Sequence, residues 1–471
     1  MKRYSVLFSL AVVLFSCKKE EVAKQKETPT STTETPSTPS GATYIEASPQ
    51  RTGDHSKGYD YLIYGDYVSS GVPLSIYSSV FGTPTNELGR TGNGAKVAHN
   101  YNAITASNGV DLATPNCLNC HAQFLNGKLI VGLGNSFSDY TTDASGTVNA
   151  VDLAIQFQYG IPSKEYTAYE PFRTSGLALG PHIIAQKKGV NVANKLTYVL
   201  TAYRDKNSLE WISNPNTTIP SSVVPADVPA WWILKKKHAM FYPGSGRGDF
   251  SRIMMASAML TLKDSSEARE VDNKFADVYA YIKSIEPPVY PETIDYAKAD
   301  SGKTVFSIHC QKCHGTYGTN ETYPNYVIDL DVIRTDSLLL QDDINSGLVN
   351  WYNTGWFAQP PYAARMDYQK GYVAPPLDGV WATAPYLHNA SVPDLYTLLK
   401  SSARPTYWKR SFSSTDFNYK EVGWNYTQMS SGTGVDVYDT SLPGFGNYGH
   451  TFGDPLSETE RMQLIEYLKT L

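Results

Sequence analysis

Four of the five cysteines in this 471-residue chain fall inside two pentapeptides, Cys117-Leu118-Asn119-Cys120-His121 and Cys310-Gln311-Lys312-Cys313-His314. That spacing carries a specific chemistry. Two thiols three positions apart add to the two vinyl groups of one haem, and the histidine that follows turns its imidazole onto the iron. The expectation is two covalently bound haems c, with Cys117, Cys120, Cys310 and Cys313 as the attachment points and His121 and His314 as iron ligands. Two other chemistries use the same residues: a redox-active thiol pair, and a zinc site drawing on both pentapeptides. Each leaves the paired histidines as coincidences. The fifth cysteine, Cys17, stands near the N-terminus, so no pair remains for a disulfide.

The elements that must position these peptides read mainly as helices joined by long loops. The first peptide sits in a Gly/Asn-rich stretch, and residues 127–133 after it look like a short strand or turn. Residues 192–212 and 250–262 have helical apolar spacing, and residues 271–285 form an amphipathic helix that stops at Glu286-Pro287-Pro288. That proline pair marks a boundary. Beyond it, a helix at 297–306 leads into the second peptide, and a closing helix at 457–471 starts with Ser457 and Glu460, the spacing of a capping box. The predicted architecture is mainly α, with two cytochrome c-like domains at 46–288 and 289–471, each carrying one haem.

Net charge is −5 and the charged fraction 18%, so there is no basic field for nucleic acid. Met1-Lys2-Arg3, an apolar run at 6–15 and Ser16-Cys17 read as a signal peptide over 1–17, too short to span a bilayer. Leu14-Phe15-Ser16-Cys17 resembles a lipobox, which makes Cys17 a lipidation site; ordinary cleavage leaving a stray thiol is the other reading. Residues 18–45 lack the apolar content for a core and form a Thr/Pro/Ser-rich tether. The expected location is the periplasmic or cell-surface side of a bacterial membrane, lipid-anchored. Lys18 in place of the Asp associated with inner-membrane retention favours the outer membrane.

Several longer stretches resemble a known family. Val228-Pro229-Ala230-Trp231-Trp232, Gly246-Arg247-Gly248-Asp249, the run from Pro375 through Ala384-Pro385-Tyr386-Leu387-His388 to Pro393, and Gly449-His450-Thr451-Phe452-Gly453 are similar to dihaem cytochromes. That group includes bacterial cytochrome c peroxidases and, more closely, rubber oxygenases. The likeness spans roughly residues 50 to 471. It implies that His450 is the sixth ligand of the second haem, because the segment after the Ala-Pro-Tyr signature holds no methionine; Met429 and Met366 are the reserves. It also places the helix at 250–262 over the first haem, with an apolar residue at the iron and room for O₂ or peroxide. Met254, Met255, Met259 and Arg247 are the distal candidates there, against a plain core-filling role for the methionines.

The remaining histidines carry less. His238 follows three lysines and reads as a surface residue, His55, His99 and His182 as structural or exposed, and His309 as too constrained by Cys310 to act alone. His388 is read as packing beside the second haem, at a propionate. Trp231, Trp232 and Trp381 are either core or a path for electrons, and Lys235–Lys237 either a solvated face or a docking patch for an acidic redox partner. Two functions fit: a peroxidase-like or oxygenase-like oxidoreductase acting on a small oxidant at the first haem, or a lipid-anchored electron carrier with two six-coordinate haems. The roughly 190 residues between the pentapeptides exceed what a carrier domain needs and tilt the reading toward an enzyme.

Overall fold

Apolar runs in this chain are short and broken by glycine, proline and tyrosine, and the strands they build are correspondingly brief. A computed structural model describes residues 38–471. The expected signal peptide, lipidation at Cys17 and the 18–37 part of the tether lie outside the described residues.

Two helix crossings organise the chain. His55–Tyr64 packs against Ser265–Ser284, and Tyr296–His309 against Glu458–Leu468. Side-chain caps start all four: Asp54, Asp264, Asp295 and Ser457 accept hydrogen bonds from the first free N–H groups. Ser457 and Glu460 form the expected capping box. Glycine permits both crossings. A Cβ at Gly58 would stand 1.9 Å from the Asp277 carbonyl oxygen, and one at Gly302 would stand 1.9 Å from that of Gln463.

The mainly α, two-domain expectation is overturned. Fifteen strands, none longer than five residues, form six sheets of two or three strands among the described residues. Some sheets join parts of the chain on either side of Pro287-Pro288: Gly246–Gly248 pairs with Ala364–Met366, and Ala42–Tyr44 pairs with Tyr326–Asp329. The largest buried cluster likewise mixes Leu62, Phe250 and Phe275 with Trp351, Phe357 and Phe445. Helical periodicity cannot register strands of two to five residues inside Tyr/Pro-rich loops, and cross-strand pairing depends on distant partners. Two expected helices are also shorter or altered. The 192–212 pattern is helical only over Ala193–Ala202, and 250–262 is an α-helix over Phe250–Met254 that tightens to 3₁₀ over Met255–Leu260.

A buried ion cluster ties the first half together. Asp272 bonds Arg51 at 2.6 Å and Arg252 at 2.8 Å, while Asp249 bonds Arg51 at 2.8 Å and caps the helix that carries Met254. Two carboxylates against two guanidiniums leave no buried charge alone, the condition for tolerating them there. No helix among the described residues is long and apolar enough to cross a membrane.

Candidate haem sites

The second pentapeptide is delivered by the helix Tyr296–His309, which runs straight into the single turn Gln311–His314. His314 Nδ1 lies 2.8 Å from the Pro375 carbonyl, which only accepts, so the ring donates there and leaves Nε2 as its free lone pair. Across from it stands His450, with ring centres 6.3 Å apart and planes at 64°. A metal bonded to both imidazoles at about 2.0–2.1 Å puts the ring centres roughly 6.2–6.4 Å apart. The two histidines are therefore spaced to share one ion.

His450 is held there by backbone. Gly449 and His450 are consecutive left-handed residues, at φ 76° and 45°. A Cβ at Gly449 would stand 2.3 Å from the Arg334 backbone, so only glycine fits. The His450 N–H donates to the Ile333 carbonyl at 2.7 Å, and Arg404 clamps the loop by donating to the carbonyls of Asn447 (2.6 Å), Gly449 (2.7 Å) and His450 (3.1 Å). Burial pushes the His450 imidazole down to about 3, with His314 and Arg404 adding to the effect, and lowers His314 as well. Both rings are neutral and able to ligate. They line a cavity of about 190 Å³, predominantly apolar, walled by Phe306, Cys310, Leu395, Leu464 and Leu468. Met429 and Met366 are absent from its lining; Met366 belongs instead to the strand Ala364–Met366 in the other core cluster.

The first pentapeptide sits between two hairpins. Tyr101–Thr105 pairs with Asp111–Pro115 just before it, and Ala122–Leu125 pairs with Lys128–Val131 just after, through a left-handed Asn126-Gly127 turn. His121 is half-buried, and its Nδ1, itself shielded from solvent, has no partner among the described residues, in contrast to His314. Its ring is oriented by stacking on Trp231, at 4.6 Å and 21°. Burial pushes this imidazole down to about 3. The 250–260 segment does approach the pentapeptide, with Ser257 Oγ 3.9 Å from Cys117 Sγ. Met254, one helical turn before Ser257, is half-buried, whereas Met255 and Met259 are fully buried in the core. Arg247 is buried on the strand Gly246–Gly248 beside Arg365, its Nε unpartnered among the described residues.

These environments bear on the competing chemistries. Burial raises the thiol pKa at Cys117, Cys120 and Cys313, and pushes Cys310 up to about 12. A redox-active pair needs the opposite shift. Among the described residues no group of three or more His, Cys, Asp or Glu is arranged to hold a metal ion, so the pentapeptides do not converge on a zinc site. Two inert cysteines, a neutral imidazole and an apolar cavity fit a thioether-bound haem.

Other singled-out residues fall elsewhere. His238 donates through Nδ1 to the Ile45 carbonyl, 2.8 Å away, and His55 begins a helix at the surface. The lysine run is not one solvated face: Lys235 pairs with Glu286, Lys236 with Asp378 and Glu321, and Lys237 is buried. His388 lines the second cavity, stacked on Tyr372 at 4.3 Å. Arg404, Pro375 and Thr335 were not singled out as site residues. Pro375 lay in the stretch that carried the family resemblance, but a carbonyl acceptor and a backbone clamp leave no side-chain pattern to read.

Parts of this chain match known proteins. Residues 371–409 match the RoxA-like, cytochrome c-like family. The matched segment supplies Pro375 and His388 to the second cavity. The chain is 26% identical over 321 residues to "Uncharacterized protein y4iM" of Sinorhizobium fredii, covering 59% of this chain and 71% of that protein. It is 29% identical over 256 residues to "Uncharacterized protein y4iJ" of the same organism, covering 40% of this chain and 41% of that one. The chain thus spans less than half the length of the second relative. Its 371–409 segment marks a RoxA-like cytochrome c domain, and the group such a domain binds covalently is haem c.

Proposed function

We propose that this chain is a dihaem electron-transfer protein of the rubber oxygenase-like branch, in which a second, bis-histidine haem serves a first haem that meets a small oxidant such as peroxide or O₂. The observation that carries this reading is the His314–His450 pair, spaced at 6.3 Å and locked by the Pro375 carbonyl on one side and the Arg404 clamp on the other. Haem c supplies one-electron oxidation and reduction at its iron. His314 and His450 would together hold the iron of such a haem, an arrangement that suits an electron relay and would leave no room for a reacting ligand. At the first site His121 lacks the carbonyl that would strengthen it as a donor, and the two most deeply buried methionines of the overlying segment are committed to the core.

Between the sites run two consecutive tryptophans. Trp231 lies on the His121 ring, and Trp232 belongs to the buried cluster of Phe306 and Ile465, with Cys310 packed against it. They provide a covalently continuous aromatic route. A redox partner protein, lipid attachment at Cys17, and placement on the outer side of a bacterial membrane belong to the same proposal.

One observation favours a carrier with two six-coordinate haems: Met254 shares a helix face with Ser257, the residue next to Cys117. Low-temperature EPR and CO binding of the full chain decide between them. A high-spin or CO-binding haem supports the enzyme. Two low-spin haems indifferent to CO, with Met254→Leu opening one of them, support the carrier.

A further inference from the structure

The lining of the cavity of His314 and His450 includes polar groups that the protein's own residues leave unmatched. Lys237 lines it and is 8% exposed, yet its ammonium makes no ion pair or hydrogen bond among the described residues. Thr335 Oγ1 and His388 Nε2 line the same cavity, and both are buried without a partner. Of the acids on these walls, Asp227 accepts from the Tyr242 hydroxyl at 2.6 Å and Asp378 Oδ1 from Lys236 at 2.7 Å, while Asp378 Oδ2 is buried without a partner among the described residues. The donors left among the lining residues are the Lys237 ammonium, the Thr335 and Tyr372 hydroxyls and an imidazole nitrogen of His388 able to carry a proton. An unpaired buried ammonium is costly, and native interiors supply it with an acceptor.

We infer that Lys237, Thr335 and His388 form the receptor for the carboxylates of the second haem, and that Lys237 sets its potential by neutralising them. The inference rests on the haem proposed at His314 and His450. A haem held by thioethers at Cys310 and Cys313 presents its two propionates at the edge away from those bonds. Carboxylates in this cavity would find donors in Lys237, Thr335 and His388, and the ammonium's charge would favour the reduced, more electron-rich form of the iron. Desolvation pushes Lys237 down to about 8 in the protein alone, and a neighbouring carboxylate reverses that direction. His388, stacked on Tyr372, is kept rigid enough to serve as the second donor.

The experiment uses the full chain with haem attachment checked by mass. Lys237→Met is expected to lower the midpoint potential of the low-spin haem, shifting its oxidised-to-reduced ratio about tenfold, ~59 mV for a one-electron couple. Lys237→Arg is expected to keep the wild-type potential. Thr335→Val, which leaves the charge in place, is expected to move the haem carboxylate band in the redox-difference infrared spectrum. If Lys237→Met does not accumulate, the infrared shift of Thr335→Val and the potential of Lys237→Gln decide. Intact low-spin haem with wild-type potential and an unmoved carboxylate band in these variants overturns the inference while leaving the haem reading standing. Absence of haem on Cys310 and Cys313 overturns both.

Discussion

His450→Gly is the most informative single change, because the backbone at this position isolates the loss of the ring. His450 sits at φ 45°, a left-handed conformation that costs a side-chain-bearing residue roughly 1–2 kcal/mol and glycine almost nothing. The variant therefore keeps the turn, the N–H bond to Ile333 and the Arg404 bond to the carbonyl, and loses only the imidazole. If the two imidazoles, whose ring centres lie 6.3 Å apart, hold one iron as proposed, the variant would leave His314 as its sole protein ligand. Axial ligation spans about 0.8 V of haem potential, so removing one imidazole should raise the second haem by on the order of 100 mV. For one charge that is about 2.3 kcal/mol. Low-temperature EPR should show one haem turning high-spin, and added imidazole should restore the low-spin signal. An unchanged low-spin spectrum at an unchanged potential would refute the assignment of His450, whatever the activity of the variant.

Four further outcomes follow from the same geometry. Arg404→Met should leave the half-buried carbonyls of Asn447 and Gly449 unbonded, lowering stability by roughly 1–3 kcal/mol and giving a mixture of spin states at the proposed second haem, seen by denaturation and EPR together. Asp272→Ala strands Arg252 and weakens the hold on Arg51, so guanidinium titration should report a loss of about 3–5 kcal/mol with haem spectra unaltered. Trp231→Ala removes the surface on which His121 is stacked; stopped-flow reduction should show slower electron exchange between the haems, and stability should fall by about 3–5 kcal/mol. Asp343, buried beside Tyr198 and Asn194, is pushed up to about 7 chiefly by desolvation, so the folded chain keeps a proton there that the unfolded chain releases near 3.8. Stability should therefore fall as pH rises from about 4 to 7, and Asp343→Asn should flatten that part of the curve.

The local parts of this molecule were readable in advance, and the reason is visible in particular residues. The capping box at Ser457 and Glu460 depends on neighbours three positions apart, and it forms as expected. The helix ahead of Cys310 runs as its pattern predicts, with ends displaced by a few residues. The strands were not readable. Gly246–Gly248 carries no alternating pattern, and its pairing with Ala364–Met366 is set by a partner more than a hundred positions away. The lysine run shows the same limit: three consecutive identical residues have one sequence signature and three different fates, two in ion pairs and one buried.

The sequence by itself pointed to the covalent chemistry, because two thiols and an imidazole within five residues need only a turn of backbone to reach one haem. It also pointed to the 375–393 stretch and to His450. Only the tertiary structure decided what those residues do to one another. It brought Pro375 to His314, set Arg404 behind a left-handed Gly449-His450 turn, stacked Trp231 on His121, and turned Lys237 inward while Lys235 and Lys236 found acids. Ligand spacing, charge pairing and burial are properties of segments that meet in space, and no local pattern records which segments will meet.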